Sequence, residues 1–497
     1  MTEALAQLPN TQLSKTIGSL ALLKTTWEVR QTDYIDNFVP FLATLIKKQK
    51  YLSINVNKVC DDFKNEFGLI IPYHPMIGLI NRAQKKGLIK RGADSYEPVW
   101  EKIESIQFEP DVHDQLRKIE YIIDEMISFN HRVFAAQTSR EEAESNILSF
   151  LKEYDVDIIY DIENNVFPNV TIASKNRFFT YRFIQNAYKS NPKIFEYIMD
   201  LAIGSVLANS ILNNDIVNMS GKLSGINLYF DTRFILRLLG TEGEERSESY
   251  QEFLKLLSEE DAKLYIFNHT YDEIIGILKD SKRRIRNTKT DYSQASPVLL
   301  YFIQKEFNES DIDRFITKVE LVISANNISI QNAPEPEELK LFQIDYDKLL
   351  KTIVGRYKRR NPSYNEKEKE DALLKDVKSI EAIYKFRKGK NPKAINDSVS
   401  IFITTNTALA QAVKSFGLSE NVHYRIPACI TDVLLGTILW LQSPTQVTKI
   451  NEKKIIADCI AALQPNEQLL RRFLLEVDKL QQEKMIDERE VFTITFI

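Results

Sequence analysis

Ile226-Asn227-Leu228-Tyr229-Phe230-Asp231-Thr232 is the stretch on which the fold reading turns. It is a short apolar, aromatic-rich run, bounded by Gly225 and stopped abruptly on a carboxylate, and it reads as a buried strand. In open α/β sheets ligands sit beyond the carboxyl ends of the strands, which is where Asp231 would stand. A carboxylate there is costly to desolvate unless a cation or a proton neutralises it. The competing reading is an N-cap for the following helix, a common use of Asp.

Working outward, 225–442 alternates strand-like and helical patterns. Strand-like runs lie at 228–230, 264–267 and 401–404, with a weaker one at 422–426. That alternation predicts a parallel α/β sheet. The insert at 331–370 is polar and charged, opens on Pro334 and Pro336, and reads as a surface segment. Residues 105–222 read as helical throughout. Their aromatic run of Phe178, Phe179, Tyr181 and Phe183 is expected in the core rather than stacked on bases. Residues 446–497 read as a charged helical tail, and 1–31 as a polar N-terminal segment.

In 32–104 three apolar stripes at helical spacing are followed by a hairpin-like pair. The stripes are Phe38, Phe41, Leu42, Leu45 and Ile46, then Val56, Val59, Phe63 and Phe67, then Met76, Leu79, Ile80 and Ala83. This order resembles a winged-helix domain. The resemblance implies a reading helix with Asn81, Arg82, Lys85 and Lys86, and a wing with Lys90 and Arg91, for nucleic acid or for a protein partner. The expected class is therefore mixed and mainly α with one α/β domain. It comprises a winged helix (32–104), a helical linker (105–222), a parallel-sheet domain (223–445) and a helical tail (446–497).

Composition sets the outer limits. The chain has 497 residues, is 43% apolar and carries a formal net charge of −4, so a wholly basic nucleic-acid-coating surface is excluded while a local basic groove is not. Three cysteines, far apart and odd in number, exclude a disulfide framework and a cysteine-rich zinc site and fit a reducing cytosol. The start lacks a secretory pattern, and the apolar runs at 201–212 and 430–441 are too short and too polar to span a bilayer. A cytoplasmic protein with no membrane partner is expected.

Several polar positions recur where such a topology would gather them. Asp231 ends the first strand, Glu273 follows the second, Asp376 lies on a long helix, and Thr404 and Asn406 close another strand. Carboxylates gathered in one cleft repel unless divalent cations bind between them, and oxygen-only donors suit Mg²⁺ or Mn²⁺. Such ions activate water and stabilise charge on a phosphodiester oxygen. Taken singly, each carboxylate would more simply cap a helix or pair with a Lys or Arg.

Together these residues resemble a PIN-like nuclease domain over 224–442. The matching pieces are Leu228-Tyr229-Phe230-Asp231-Thr232, Glu273 after the second strand, Asp376 on its helix, and Thr404-Thr405-Asn406 before another helix. The resemblance implies a small parallel-sheet fold, Asp231, Glu273 and Asp376 as ligands of Mg²⁺ or Mn²⁺, and cleavage of RNA ahead of DNA. Thr404 and Asn406 would orient the water or a ligand. The chain departs from the pattern in that the last position is Asn406, not Asp, which can still hydrogen-bond a metal-bound water but brings no charge, and in its longer insert between Glu273 and Asp376. Asp371 or Asp272 could replace a neighbour as ligand, and Asp432 is a spare carboxylate.

Basic runs supply a polyanion's counterpart. Lys282, Arg283, Arg284 and Arg286, then Arg359 and Arg360, then Arg387, are the expected nucleic-acid contacts, with a solvated helix face as the alternative. The reading is a metal-dependent endonuclease, alone or with a homo-oligomeric or regulatory protein partner. A catalytically silent binding regulator and a latent toxin or defence subunit are its alternatives.

Overall fold

The computed structural model describes residues 11–30, 34–92, 96–106, 112–154, 174–211, 223–286, 296–334 and 344–442, apart from 363, 368, 391, 393–394 and 420–425. The described residues are mainly helical and contain a five-stranded parallel sheet, so the mixed class read from the sequence holds. The chain divides into two compact units, Met1–Asn218 and Met219–Ile497. The expected tail at 446–497 lies outside the described residues.

The first unit begins with α1 (Gln12–Arg30), followed by α2 (Val39–Gln49), α3 (Val56–Phe67) and α4 (Tyr73–Lys85). A hairpin of β1 (Ile89–Arg91) and β2 (Tyr96–Pro98) comes next. The stripes predicted for 32–104 form its core: Phe41 and Phe67 meet edge-on at 5.1 Å, and Phe63 and Phe67 at 4.7 Å. Asn55 caps α3 by accepting from the Lys58 N–H, and Gly68 ends it at φ +74°, where a side chain would be strained. On α4, Arg82 lies 3.6 Å from Asp36, and Lys86 just beyond it 2.8 Å, so two of the four expected reading residues are drawn to an acid. Asn81 and Lys85 are exposed.

The unit continues through α5 (Trp100–Ser105), α6 (Val112–Phe134), α7 (Arg140–Tyr154), α8 (Ser174–Ser190) and α9 (Pro192–Ser210). Three of the four aromatic residues of the α8 run are core, as expected: Phe179 stacks on Phe134 at 4.1 Å, and Phe183 and Tyr181 meet Phe129 and Phe150, while Phe178 is exposed. The N-terminal segment does not stand apart. Its helix α1 packs along α9, and Gly204 makes the close approach possible, because a Cβ there would stand 2.1 Å from the Leu20 carbonyl oxygen.

The second unit is built on β3 (Asn227–Phe230), with α10 (Thr232–Leu238), α11 (Glu244–Glu259), β4 (Lys263–Phe267) and α12 (Asn268–Arg286) following in turn. Next come α13 (Pro297–Gln304), α14 (Glu309–Ala325) and β5 (Ile328–Gln331). The chain then runs through α15 (Tyr346–Arg360), α16 (Glu370–Arg387), β6 (Ser400–Thr404), α17 (Thr407–Ser419), β7 (Cys429–Thr431) and α18 (Asp432–Gln442). The sheet order is β5-β4-β3-β6-β7, and every pairing is parallel.

Alternation along β3 assigns the faces. Tyr229 joins Phe402 and the buried sides of α15, α16 and α17 in one core, while Phe230 stacks on Phe234 of α10 at 4.3 Å on the other. Two sequence readings need correction. The last strand is 429–431, not 422–426, most of which lies outside the described residues. The insert at 331–370 is not merely surface: it contains α15, whose Leu349, Ile353, Val354 and Tyr357 are buried at helical spacing in that core. The edge strand β5 escaped the reading because it is four residues long and half exposed.

Candidate functional site

The strand order reverses between β3 and β6: β4 and β5 extend the sheet on one side of β3, and β6 and β7 on the other. A crevice opens beyond the strands' carboxyl ends at such a switch point. Register places Phe230 beside Ile403, so Asp231 and Thr404 are the first groups past the end of the pair. A cavity of about 470 Å³ lies there, lined by Asp231, Glu273, Asp376, Thr404 and Asn406, all five residues expected at the site. Asp272 and Asp371, the considered substitutes, are exposed and do not line it.

Each acid is held by neutral donors. Asp231 Oδ1 accepts the Phe234 N–H at 2.7 Å, so it does cap α10. Its Oδ2 accepts the Thr404 hydroxyl at 2.6 Å and the Thr405 N–H at 2.9 Å. One side chain, Asp231, thus caps α10 and lines the cavity. Glu273 Oε2 accepts the Thr232 hydroxyl at 2.5 Å, and Lys375 Nζ lies 3.8 Å from its Oε1. Asp376 Oδ2 accepts the Tyr357 hydroxyl at 2.7 Å.

Burial pushes the Asp376 carboxyl up to about 7, and the charges of Asp231 and Glu273 push the same way against the Tyr357 hydrogen bond. Asp231 is also shifted upward, by burial first and by Asp432 as well, although its three hydrogen bonds oppose this. Asp432 itself accepts from Tyr250 and lies 3.7 Å from Arg237, so the spare carboxylate is already engaged.

Thr404 and Asn406 are placed differently from the expectation that they orient a water. The Thr404 hydroxyl donates to Asp231 and accepts the Asn406 N–H at 2.9 Å. Asn406 Oδ1 accepts the Ala408 and Leu409 N–H groups at 3.1 and 3.4 Å, capping α17, and its Nδ2 donates to the Tyr357 hydroxyl at 2.9 Å. Both side chains orient acids or helices, because the turn after β6 leaves backbone N–H groups that need acceptors.

The basic residues divide. Arg360 lines the cavity and donates to the Thr407 hydroxyl at 2.7 Å, at the start of α17. Arg359 beside it is exposed. The first run lies elsewhere: Lys282 pairs with Asp313 at 2.6 Å, and Arg283 and Arg284 pair with Asp280 at 2.6 and 3.0 Å. Lys282 follows Glu273 by nine positions on one helix, about 14 Å along its axis, which takes the run away from the cavity. The side chain of Arg286 lies outside the described residues. Arg387 is a correction. It is 1% exposed and donates to the carbonyls of Ser400, Ile426 and Pro427, tying the amino ends of β6 and β7 at the opposite end of the sheet. A guanidinium so enclosed cannot meet a nucleic acid.

Other lining residues were not read from the sequence. Arg233 and Lys375 bring positive charge to the cavity, as neighbours in sequence of the acids or their partners. His269 precedes Glu273 by one helical turn and lines the same space; its Nε2 lies 2.8 Å from Ser379 Oγ. The Ser379 hydroxyl donates to the Lys375 carbonyl at 2.9 Å, so the proton between them is assigned to His269 Nε2. Burial, then Lys378 and Lys375, lower His269 to about 4, which makes it a neutral ring at pH 7. Spacing could have found His269, Lys375 and Ser379. Nothing in the sequence marks Tyr357.

Comparison with family models, with curated proteins and with solved structures yields no match for this chain. The functional reading therefore rests on the geometry.

Proposed function

We propose that the second unit is a PIN-like, metal-dependent nuclease domain that hydrolyses phosphodiester bonds, with RNA ahead of DNA as substrate. The observation that carries this reading is the meeting of Asp231, Glu273 and Asp376 on one cavity at the switch point of a parallel sheet, with Asp376 raised to about 7 by burial and by the other two. Such a cluster lowers its own repulsion only by taking up protons or cations.

The donor set fits Mg²⁺ or Mn²⁺: the acids present oxygen alone, and His269 is engaged with Ser379. Among the described residues, no three His, Cys, Asp or Glu side chains are grouped so as to enclose an ion directly. A cation that keeps much of its water takes one or two carboxylates directly. Asp231, Glu273 and Asp376 would hold it, directly or through that water. When bound, the ion supplies an activated water and stabilises charge developing on the phosphate.

The chain's own groups do the rest. Thr404 and the Thr405 N–H fix the position of Asp231 and favour its ionised form against burial. Thr232 fixes Glu273. Arg233, Arg360 and Lys375 present cations to phosphates that the acids would otherwise repel. The three-helix and hairpin segment of the first unit resembles a winged helix and would dock a partner or a nucleic acid.

The test is purified full-length protein on single-stranded RNA with Mg²⁺ or Mn²⁺, beside Asp231→Asn. Cleavage by the natural chain and loss in the variant are expected; equal cleavage by both would remove the acid cluster from the chemistry. A silent binding domain draws on Asn406, which caps a helix and adds no charge. Calorimetry with Mn²⁺ separates the two, since the silent reading requires no site.

A further inference from the structure

We propose that Tyr357 is the positioning residue of Asp376 and that Asn406 sets the direction of its hydroxyl. This rests on the metal-site reading above and adds to it a function for the insert. The Tyr357 hydroxyl has one proton and, among the described residues, two hydrogen-bond partners, Asp376 Oδ2 at 2.7 Å and Asn406 Nδ2 at 2.9 Å. An amide NH₂ only donates, so the hydroxyl accepts from Asn406 and gives its proton to Asp376.

The amide cannot turn over without loss. Its Oδ1 is held by the Ala408 and Leu409 N–H groups at the start of α17, which leaves Nδ2 facing Tyr357. The result is a directional chain from the N-terminus of α17, through Asn406 and Tyr357, to the acid. A carboxylate at 406 would present an acceptor to the hydroxyl and compete with Asp376 for its proton. Asn406 therefore has a physical reason to be an amide here.

The ring is held as firmly as the hydroxyl. Tyr357 is 9% exposed, packs with Leu349, Ile353 and Leu373, and meets Tyr364 edge-on at 5.3 Å. It is not among the residues lining the cavity, so it acts through Asp376 rather than on substrate. One turn further along α15 is Arg360, which does line the cavity. The insert thus delivers an acid-positioning group and a phosphate-facing cation from one helix.

The experiment is Mn²⁺ titration of the full chain, followed by electron paramagnetic resonance, for the natural protein, Tyr357→Phe, Asn406→Ser and the double variant. Losing an outer partner of a ligand typically weakens metal affinity 10- to 100-fold, and that is the loss expected for Tyr357→Phe. Asn406→Ser keeps the helix cap but cannot reach Tyr357, so a smaller loss in the same direction is expected. Because the two groups act in series, the double variant should bind no more weakly than Tyr357→Phe alone. A purely structural role would lower the unfolding midpoint and leave Mn²⁺ affinity unchanged.

Natural-level Mn²⁺ affinity in Tyr357→Phe, or fully additive losses in the double variant, overturns the proposal while leaving the metal site standing. Should Tyr357→Phe not fold, natural-level affinity in Asn406→Ser overturns it. No Mn²⁺ binding by the natural chain overturns the metal site and this proposal together.

Discussion

In the first unit Glu144 lies 3.0 Å from Arg140 Nε, Asp200 lies 2.6 Å from Lys24 and Asp36 lies 2.8 Å from Lys86, so each of these three buried or half-buried acids has a cation beside it. In the second unit Asp231 and Asp376 are held by hydroxyls and backbone N–H groups, and among the described residues neither has a cation at pairing distance. Neutral donors fix where a carboxylate points without cancelling its charge. On the proposed function, the difference separates acids that join helices from acids whose charge would meet a cation.

A second contrast lies within the same unit. Glu242 is half-buried, and its withdrawal from water works against its charge, yet Arg237, Arg233 and Arg246 hold it down to about 2. Asp376 is half-buried too and is raised to about 7. Three guanidiniums together outweigh the loss of water at Glu242; nothing does so at Asp376, and burial raises it.

The largest effect that would break this contrast is on chemistry. Asp376→Asn should lower RNA cleavage by at least about 10³-fold, as loss of a central catalytic group does. In metal-free buffer at pH 8 the same variant should melt higher than the natural chain, because it removes an uncompensated charge. A lower melting point would place Asp376 with the joining acids. Glu144→Ala should act in the opposite sense, costing about 2–3 kcal/mol in denaturant unfolding, because the Ser14 hydroxyl and Arg140 lose a buried acceptor.

The pH dependence sharpens the same point. A carboxyl raised in the folded chain contributes stability that is complete below the unfolded value near 3.8 and is lost as pH rises through about 7. His269, lowered to about 4, contributes stability that is complete above 6.5 and is lost as pH falls through about 4. The metal-free melting point should therefore decline from pH 6 to pH 8, and saturating Mg²⁺ should flatten that decline. An unchanged decline with Mg²⁺ would detach the shift from any ion.

The smallest effects concern the basic residues. Arg360→Ala should reduce the slope of log affinity for RNA against log salt by about one unit. Lys282→Ala should change neither slope nor stability beyond about 0.5 kcal/mol, since its pairs are exposed. A slope change in Lys282→Ala equal to that in Arg360→Ala would return the first basic run to the substrate path.

Asp231, Glu273, Asp376 and Thr404 were legible because a parallel sheet collects strand ends, and the apolar runs at 228–230, 264–267 and 401–404 show where those ends are. The helical stripes of 32–104 were legible for the same reason of period. Arg387 misled because a charged residue at a helix end looks solvated, and its three carbonyl partners come from segments 13 to 40 positions away. Tyr357 was hidden inside a polar insert, where one aromatic residue carries no sign of what its hydroxyl meets.

By itself, then, the order of residues determined that a parallel sheet would form and that acids would stand at its carboxyl edge, since strand period, apolar runs and chain direction are local properties. Tertiary structure alone decided which charges are cancelled. Pairing depends on distance between segments remote in the chain: it set Lys24 against Asp200, enclosed Arg387 among carbonyls, and left Asp376 with a tyrosine hydroxyl and no cation at pairing distance among the described residues.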